Sequence, residues 1–390
     1  MNSSALDRSH HNAIAVTEDG YLVYNLNTRK LHRLNTTAAL IFELCTGARS
    51  ATDISNFLSP VLENNADSCM QWINFAISEE LIEIALNPAL NTQPIKTNEF
   101  ILAAEKLRAD GNVLAAFVCQ EHGVSLQSDK AEYWLGLGEL AHITGRRERA
   151  REAYQQYLSL NPDNAEAELI LQALMDNTPP ARAPDECIRQ LYSRFAKFYE
   201  RNMCEELEYS APEQLRVVMA KHIDGTKDLD ILELGCGTGL AGKQIKPWAH
   251  SLIGVDLSPE MIEQSSAAGL YDELHTAEIT AFLQQDSNNY HMVMACDTFI
   301  YFGDLNQVIA PATERLLPGG WLAFSVEKGI APPYQLSDSG RYTHTEEHIR
   351  SAATHAKLDV LSITEGFLRY EYGKPVTGLF TLLRCPPVTP

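Results

Sequence analysis

The run DILEL at 230 to 234 leads straight into GCGTG at 235 to 239, and this junction limits the fold more than any other stretch of the 390-residue chain. A short apolar run closed by glycine reads as a buried parallel strand, and the glycines that follow read as a tight turn into a helix. Four more such strands follow, separated by helical stretches: SLIGVD at 251 to 256, ELHTA at 273 to 277, HMVMACD at 291 to 297 and GWLAFSVE at 320 to 327. This alternation predicts an α/β doubly wound sheet. The segment SITEGFLRYEYGKPVTGLFTLLR then predicts two antiparallel strands joined by a turn at Gly373 to Pro375.

Ligands of such sheets gather at the carboxyl ends of the strands, so the residues there are the candidate site. Gly235, Gly237 and Gly239 let backbone approach a nucleoside closely, with Cys236 inside the turn. Asp256 closes the second strand, where a carboxylate accepts hydrogen bonds from two ribose hydroxyls. A dinucleotide needs its pyrophosphate on the next helix N-terminus, whereas the acidic Glu233 before the turn suits a cofactor carrying an amino-acid group. ELGCGTG, GVDLS and LLPGG together resemble the class I S-adenosylmethionine-dependent methyltransferases over about 200 residues. The resemblance implies a Rossmann-like seven-stranded domain with S-adenosylmethionine as cofactor. Leu257 and Met261 then lie against adenine, Glu278 and Ile279 near its amino group, and Cys296, Asp297 and Thr298 beside the methionine moiety. A generic nucleotide-binding fold without methyl transfer is the bland alternative.

Methyl transfer from a sulfonium is an in-line displacement, so the protein positions the acceptor, excludes water and removes a proton where needed. Candidates after the fourth strand are Asp297, Tyr301 and Asp304. After the fifth they are Glu327, Tyr334, Arg341, Tyr342 and His344. His344 is the candidate general base, and Arg341 with Arg369 a candidate clamp for a substrate carboxylate. Tyr192, Phe195 and Tyr199 offer an aromatic lid, although their helical spacing fits a core equally well. The pattern Thr343-x-x-Glu346 predicts a capping box, so part of this loop opens a helix.

Two other parts precede this domain, giving expected limits of 1–95, 96–176 and 177–390. In the first, AIAV and YLVYNL flank the turn signal Glu18-Asp19-Gly20 and predict a hairpin. Asn35 is placed to cap the helix of TTAALIFELC and Gly47 to end it; ATDISNFL and CMQWINFAI predict two more helices, and LIEIAL a helical turn or short strand. The LN-x-T-A-x-x-I-x-x-L-x-x-G pattern from Leu34 to Gly47 resembles the PqqD-like recognition domain of ribosomal-peptide modifying enzymes. That small α+β winged-helix family implies capture of a leader peptide as an added strand. Here the edge falls near Arg29, Lys30 and Arg33, and the groove near Met70, Ile73 and Ile77. Those three cations suit an acidic leader, or are gatekeepers on a solvated edge. In the middle part Phe100 and Trp134, Leu107 and Ala141, and Ala116 and Ala150 are each offset by 34 positions, the tetratricopeptide period. Two such repeats do not bury their own faces, so they are expected to lean on a neighbour as a spacer or peptide holder, with AEAELILQALM as a capping helix.

Composition narrows the partners. A net charge of -20 without a basic stripe argues against nucleic acid. No apolar run reaches membrane-spanning length, and nothing in MNSSALDRSHHN directs the chain out of the cytoplasm. The eight cysteines show no C-x-x-C spacing, so no metal is expected. The favoured function is methylation of a ribosomally made precursor peptide held by its leader. A small-molecule or saccharide methyltransferase whose first domain binds a partner protein is one alternative, and a non-catalytic peptide-delivery scaffold is another.

Overall fold

The computed structural model describes residues 4–17, 20–58, 66–85, 96–175, 179–196, 199–201, 203–204, 207–223, 228–371 and 374–387. The chain divides into two compact units, Met1–Pro162 and Asp163–Pro390.

The first unit opens with β1 (Ala5–Arg8), β2 (Asn12–Thr17), β3 (Gly20–Asn25) and β4 (Lys30–Asn35), then α1 (Thr36–Leu44), β5 (Thr46–Ser50), α2 (Ala51–Leu58), α3 (Ala66–Ser78) and β6 (Ile82–Ile84). β2, β3 and β4 form an antiparallel sheet with β2 and β4 at its edges, and β5-β1-β6 form a second. The expected hairpin is β2–β3; Glu18 and Asp19 of its turn lie outside the described residues. Asn35 caps α1, its side chain accepting from the Ala38 N–H. Gly47 does not end that helix: α1 stops at Leu44, and Gly47 sits inside β5 with φ 75°. LIEIAL supplies the short strand β6. Ile73 is turned inward, in a core with Val23, Leu34, Ile41 and Phe42, and Phe75 takes the outward position on α3.

Four helices complete this unit: α4 (Thr97–Ala109), α5 (Val113–Leu126), α6 (Ala131–Ile143) and α7 (Arg147–Leu160). Every boundary of the α4–α5 pair recurs 34 positions later in α6–α7. Gly138 is needed where the helices close, since a Cβ there would meet the Tyr154 ring at 3.1 Å. α5 is apolar nearly all round, as a helix covered on several sides must be. It packs on α4 and α6 and also on β2 and β3, where Ala13, Ala15, Leu22 and Tyr24 are buried. The pair of repeats therefore leans on the N-terminal sheet.

The second unit begins with α8 (Ala165–Leu174), α9 (Asp185–Phe195), α10 (Tyr199–Arg201) and α11 (Ala211–Ile223). The expected capping helix α8 falls here because Leu169 and Ala173 join the hydrophobic cluster of the large sheet. That sheet is built from β7 (Leu229–Leu234), α12 (Leu240–Ile245), β8 (Ala249–Asp256), α13 (Pro259–Ala268), β9 (Glu273–Thr276), α14 (Ile279–Gln285), β10 (Tyr290–Ala295), α15 (Asn306–Glu314) and β11 (Leu316–Lys328). There follow β12 (Tyr334–Leu336), β13 (Tyr342–His344), α16 (Glu346–His355), β14 (Asp359–Glu371) and β15 (Lys374–Arg384). β9-β8-β7-β10-β11 run parallel, and β15 then β14 close the sheet as an antiparallel hairpin. Strand residues alternate between two cores, Leu232, Leu234, Val293 and Ala295 on one face and Ile231, Met292 and Met294 on the other. Burial on both faces explains why these strands read as continuous apolar runs.

Among the described residues the sheet has nine strands rather than the expected seven. The loop after β11 folds back as β12–β13, and β13 pairs with β11 at Glu327 and Lys328, beyond the end of the β10 pairing. The capping box moves accordingly: Thr343 lies in β13, and Thr345 caps α16 by accepting from the His348 N–H.

Candidate active site

β7 brings the chain to the carboxyl edge of the sheet, where Gly235, Gly237 and Gly239 adopt φ values of 70°, 54° and 97°. These left-handed conformations suit glycine, and a Cβ at Gly235 would also lie 2.2 Å from Thr298 Oγ1. The Gly235 and Cys236 N–H groups donate to the Val255 carbonyl at 2.7 and 3.0 Å, tying the turn to the end of β8. Asp256, the next residue, accepts from the Gly237 N–H and the Ser258 N–H, both at 2.9 Å. Burial raises its carboxyl above the usual range, and these backbone donors work the other way.

An open cavity lies over this turn. Its wall contains Tyr192, Gly235, Gly237, Asp256, Leu257, Met261, Glu278, Ile279, Cys296, Asp297, Thr298 and Tyr301, which the sequence had singled out separately. Glu233, Cys236 and Gly239 are not in that wall. Glu233 is buried beneath the turn, accepting from Tyr271 Oη at 2.7 Å, and burial pushes its carboxyl up to about 8. Gly239 serves as the N-cap of α12. Glu278 lines the cavity, but its carboxylate is occupied: it caps α14 through the Thr280 and Ala281 N–H groups and accepts from Arg182 Nη1 at 3.0 Å.

Arg182, Ala183, Asp185, Ile188, Tyr199 and Phe302 complete the wall, and of these only Tyr199 was named from sequence. Four come from the proline-rich stretch ahead of α9 and from α9 itself. In the structure this stretch is a strap on the loop after β10. The Ala183 N–H donates to the Tyr301 carbonyl, the Gly303 and Asp304 N–H groups donate to the Ala181 carbonyl, and Tyr342 Oη donates to the Pro180 carbonyl, all at 2.8 to 3.0 Å. α9 adds Tyr192, whose hydroxyl meets that of Tyr301 at 2.7 Å, and whose ring is edge-on to Tyr199 at 6.0 Å. The side chain of Phe195 lies outside the described residues.

Beside the cavity lies a buried ionic cluster. Arg369 donates to Asp297 Oδ2 at 2.7 Å and to Glu327; Arg341 donates to Glu327 Oε1 at 2.8 Å and to Glu371. Asp297 has φ 52°, and its N–H donates to Ser325 Oγ at 2.9 Å. Burial works against the charge on Glu327, but Arg341 and Arg369 outweigh it and hold its carboxyl below the usual range. This corrects two expectations. Arg341 and Arg369 are not a clamp facing a substrate carboxylate, because carboxylates of the chain itself occupy both. Neither Arg341 nor Glu327 is in the cavity wall.

His344 is corrected as well. It is fully buried in β13, its Nδ1 3.1 Å from His348 Nδ1, and it is absent from the cavity wall. Burial and the neighbouring His348 push its imidazole down to about 3, so it is neutral near pH 7. Of the candidates Asp297, Tyr301, Asp304, Glu327, Tyr334, Arg341, Tyr342 and His344, the cavity wall contains Asp297 and Tyr301.

A parallel sheet in the order β9-β8-β7-β10-β11, closed by an antiparallel hairpin, with a glycine turn and an acidic strand end beneath one cavity, defines the methyltransferase class of α/β folds. Residues 231–320 match the family model described as a methyltransferase domain. The C-terminal unit is an S-adenosylmethionine-dependent methyltransferase domain. A ubiquinone biosynthesis O-methyltransferase of Bordetella avium is 23% identical over 171 residues, 39% of this chain and 69% of that protein. A malonyl-[acyl-carrier protein] O-methyltransferase of Acetivibrio thermocellus is 27% identical over 140 residues, covering 35% of this chain and 45% of that one. The match thus takes in between about half and two thirds of these relatives. Among solved structures, an S-adenosylmethionine-dependent methyltransferase from Clostridium acetobutylicum is 18% identical with a TM-score of 0.39, covering 50% of this chain and 99% of that chain. Magnesium protoporphyrin IX methyltransferase from Synechocystis, with bound SAH, is 12% identical with a TM-score of 0.40, covering 52% and 99%.

Proposed function

We propose that the protein transfers the methyl group of S-adenosylmethionine to a ribosomally synthesised precursor peptide, whose leader adds as a strand to β4. The supporting observation is that β4 is an edge strand with α3 beside it. The His32 ring stands 6.1 Å from that of Phe75, and Lys30 Nζ lies 2.7 Å from Glu79 Oε2. An edge of this kind supplies main-chain hydrogen bonds, and the neighbouring helix supplies side-chain selectivity. Phe75 is 48% exposed on α3 beside this edge, an apolar surface where a peptide side chain would rest. Because Glu79 already neutralises Lys30, selectivity rests on Phe75 more than on leader acidity. In this reading the first domain acts as a PqqD-like element and α4–α7 as a tetratricopeptide spacer. On the cavity side, Asp256 holds the ribose hydroxyls, Leu257, Met261 and Ile279 flank adenine, and Cys296 and Asp297 lie along the methionine moiety.

The test is Phe75→Glu in the full chain, an exposed change that spares the core. With the full precursor, KM should rise about tenfold, as for loss of roughly 1.4 kcal/mol of uniform binding, with kcat unchanged. A leaderless core peptide should be methylated equally by both forms. Unchanged KM for the full precursor overturns leader capture at this edge. A second reading, a small-molecule O-methyltransferase, is favoured by the names of the two curated relatives. Methylation of a small acceptor with no response to any precursor would select it.

A further inference from the structure

The methyl acceptor is decided by what the cavity presents where the methyl group would sit, between the ends of β7 and β10. Resting on the methyltransferase reading, we infer that the acceptor is an alkylamine, such as a lysine side chain or a peptide amino terminus, received as its ammonium ion.

Charge is the first argument. Asp297 borders the cavity and belongs to a cluster of three carboxylates, Asp297, Glu327 and Glu371, that hold two guanidinium groups, Arg341 and Arg369. One negative charge is left over. Among the described lining residues the one cation is Arg182, and it is bound to both Glu278 and Asp185 and lies over the Phe302 ring at 5.4 Å. An anionic acceptor therefore meets no unengaged cation in this wall, whereas an ammonium ion meets a surplus carboxylate.

Shape is the second. Tyr192, Tyr199 and Tyr301 all line the cavity together with Asp297. Tyr192 stands edge-on to both other rings, at 6.0 and 6.2 Å, so its ring lies at a steep angle to each of them. Phenol rings in the same cavity wall as a carboxylate favour an ammonium where it meets a ring face, and a phenol hydroxyl can accept from its N–H groups. The buried Tyr301 and the half-buried Tyr192 and Tyr199 also limit the water that would compete with the acceptor.

The chemistry balances. The ammonium ion gives one proton to the Asp297 carboxylate, and its freed lone pair forms the N–C bond to the cofactor methyl group. The C–S bond breaks with its electron pair left on sulfur. The product departs as a methylammonium ion, and the proton on Asp297 passes to water. Burial raises the Asp297 carboxyl above the usual range, which favours the protonated form this step requires, while Arg369 opposes it.

The experiment is a calorimetric titration of the full chain, saturated with S-adenosylhomocysteine, with benzylamine, benzyl alcohol and benzoate at neutral pH. Benzylamine should bind at least about tenfold more tightly than the other two, the expectation for a cation of similar size over desolvated rings. Tyr199→Leu should weaken benzylamine by about tenfold, whereas Tyr199→Phe, which keeps the ring face, should retain it. Benzoate or benzyl alcohol binding as tightly as benzylamine, or no benzylamine binding to the saturated protein, overturns the amine assignment and leaves the cofactor reading standing. Failure of S-adenosylhomocysteine itself to bind overturns the cofactor reading and the amine assignment together.

Discussion

The hydroxyls of Tyr192 and Tyr301 meet at 2.7 Å, joining α9 to the loop after β10 across the cavity. Neither phenol is near ionisation, since burial raises both, so the pair acts as an oriented hydrogen-bond donor to whatever fills the cavity. Tyr301→Phe removes that link and leaves the ring. A buried hydrogen bond of about 1 kcal/mol corresponds to roughly a fivefold fall in kcat, with S-adenosylmethionine affinity unchanged. Steady-state kinetics with calorimetry check both halves.

Arg369 is a support for Asp297 and Glu327 and has no exposed role. Arg369→Met leaves two buried carboxylates short of their cation, which should cost about 3–5 kcal/mol of stability. A urea titration should show the midpoint falling steeply. A midpoint within error of wild type would mean that the cluster is solvated in the working protein.

His344 gives a pH signature. Its folded-state pKa is depressed to about 3 from the ordinary 6.5 because burial and His348 disfavour the charged form. The unfolded chain therefore binds the proton more readily. The contribution to stability is fully present above about pH 6.5 and is lost as the pH falls towards about 3. Denaturation midpoints between these limits should fall less steeply in His344→Asn than in wild type. Parallel profiles would show that His344 is not buried neutral. In wild type, turnover near neutral pH should not follow a titration of this residue.

The limits of what the sequence revealed follow from the physics of each element. β7, β8, β10 and β11 were legible because strands buried on both faces are continuous apolar runs, β9 only through its place in the alternation, and the helical pairs because their 34-residue period repeats small and aromatic positions. The strap from Pro180 to Asp185 was not, because an extended proline-rich stretch looks the same whether it is solvated or pinned by its main chain. β5, with the sequence TGARS, has no alternation to mark it and forms because β1 offers it an edge. The engagement of Arg341 and Arg369 by three carboxylates, from the loop after β10 and from β11 and β14, is a long-range arrangement, invisible to local spacing. The same holds for His344, whose neutrality comes from burial in a strand that the sequence reads as a loop.

The central claim is that S-adenosylmethionine binds over the Gly235–Gly239 turn with its ribose on Asp256, and calorimetric titration of the cofactor into the full chain and into Asp256→Ala tests it most directly. Loss of a charge-assisted contact of about 1.5–3 kcal/mol predicts a Kd raised by about one to two orders of magnitude in a variant that remains folded. Equal affinity in the two proteins, or no binding to the wild type, would contradict the account.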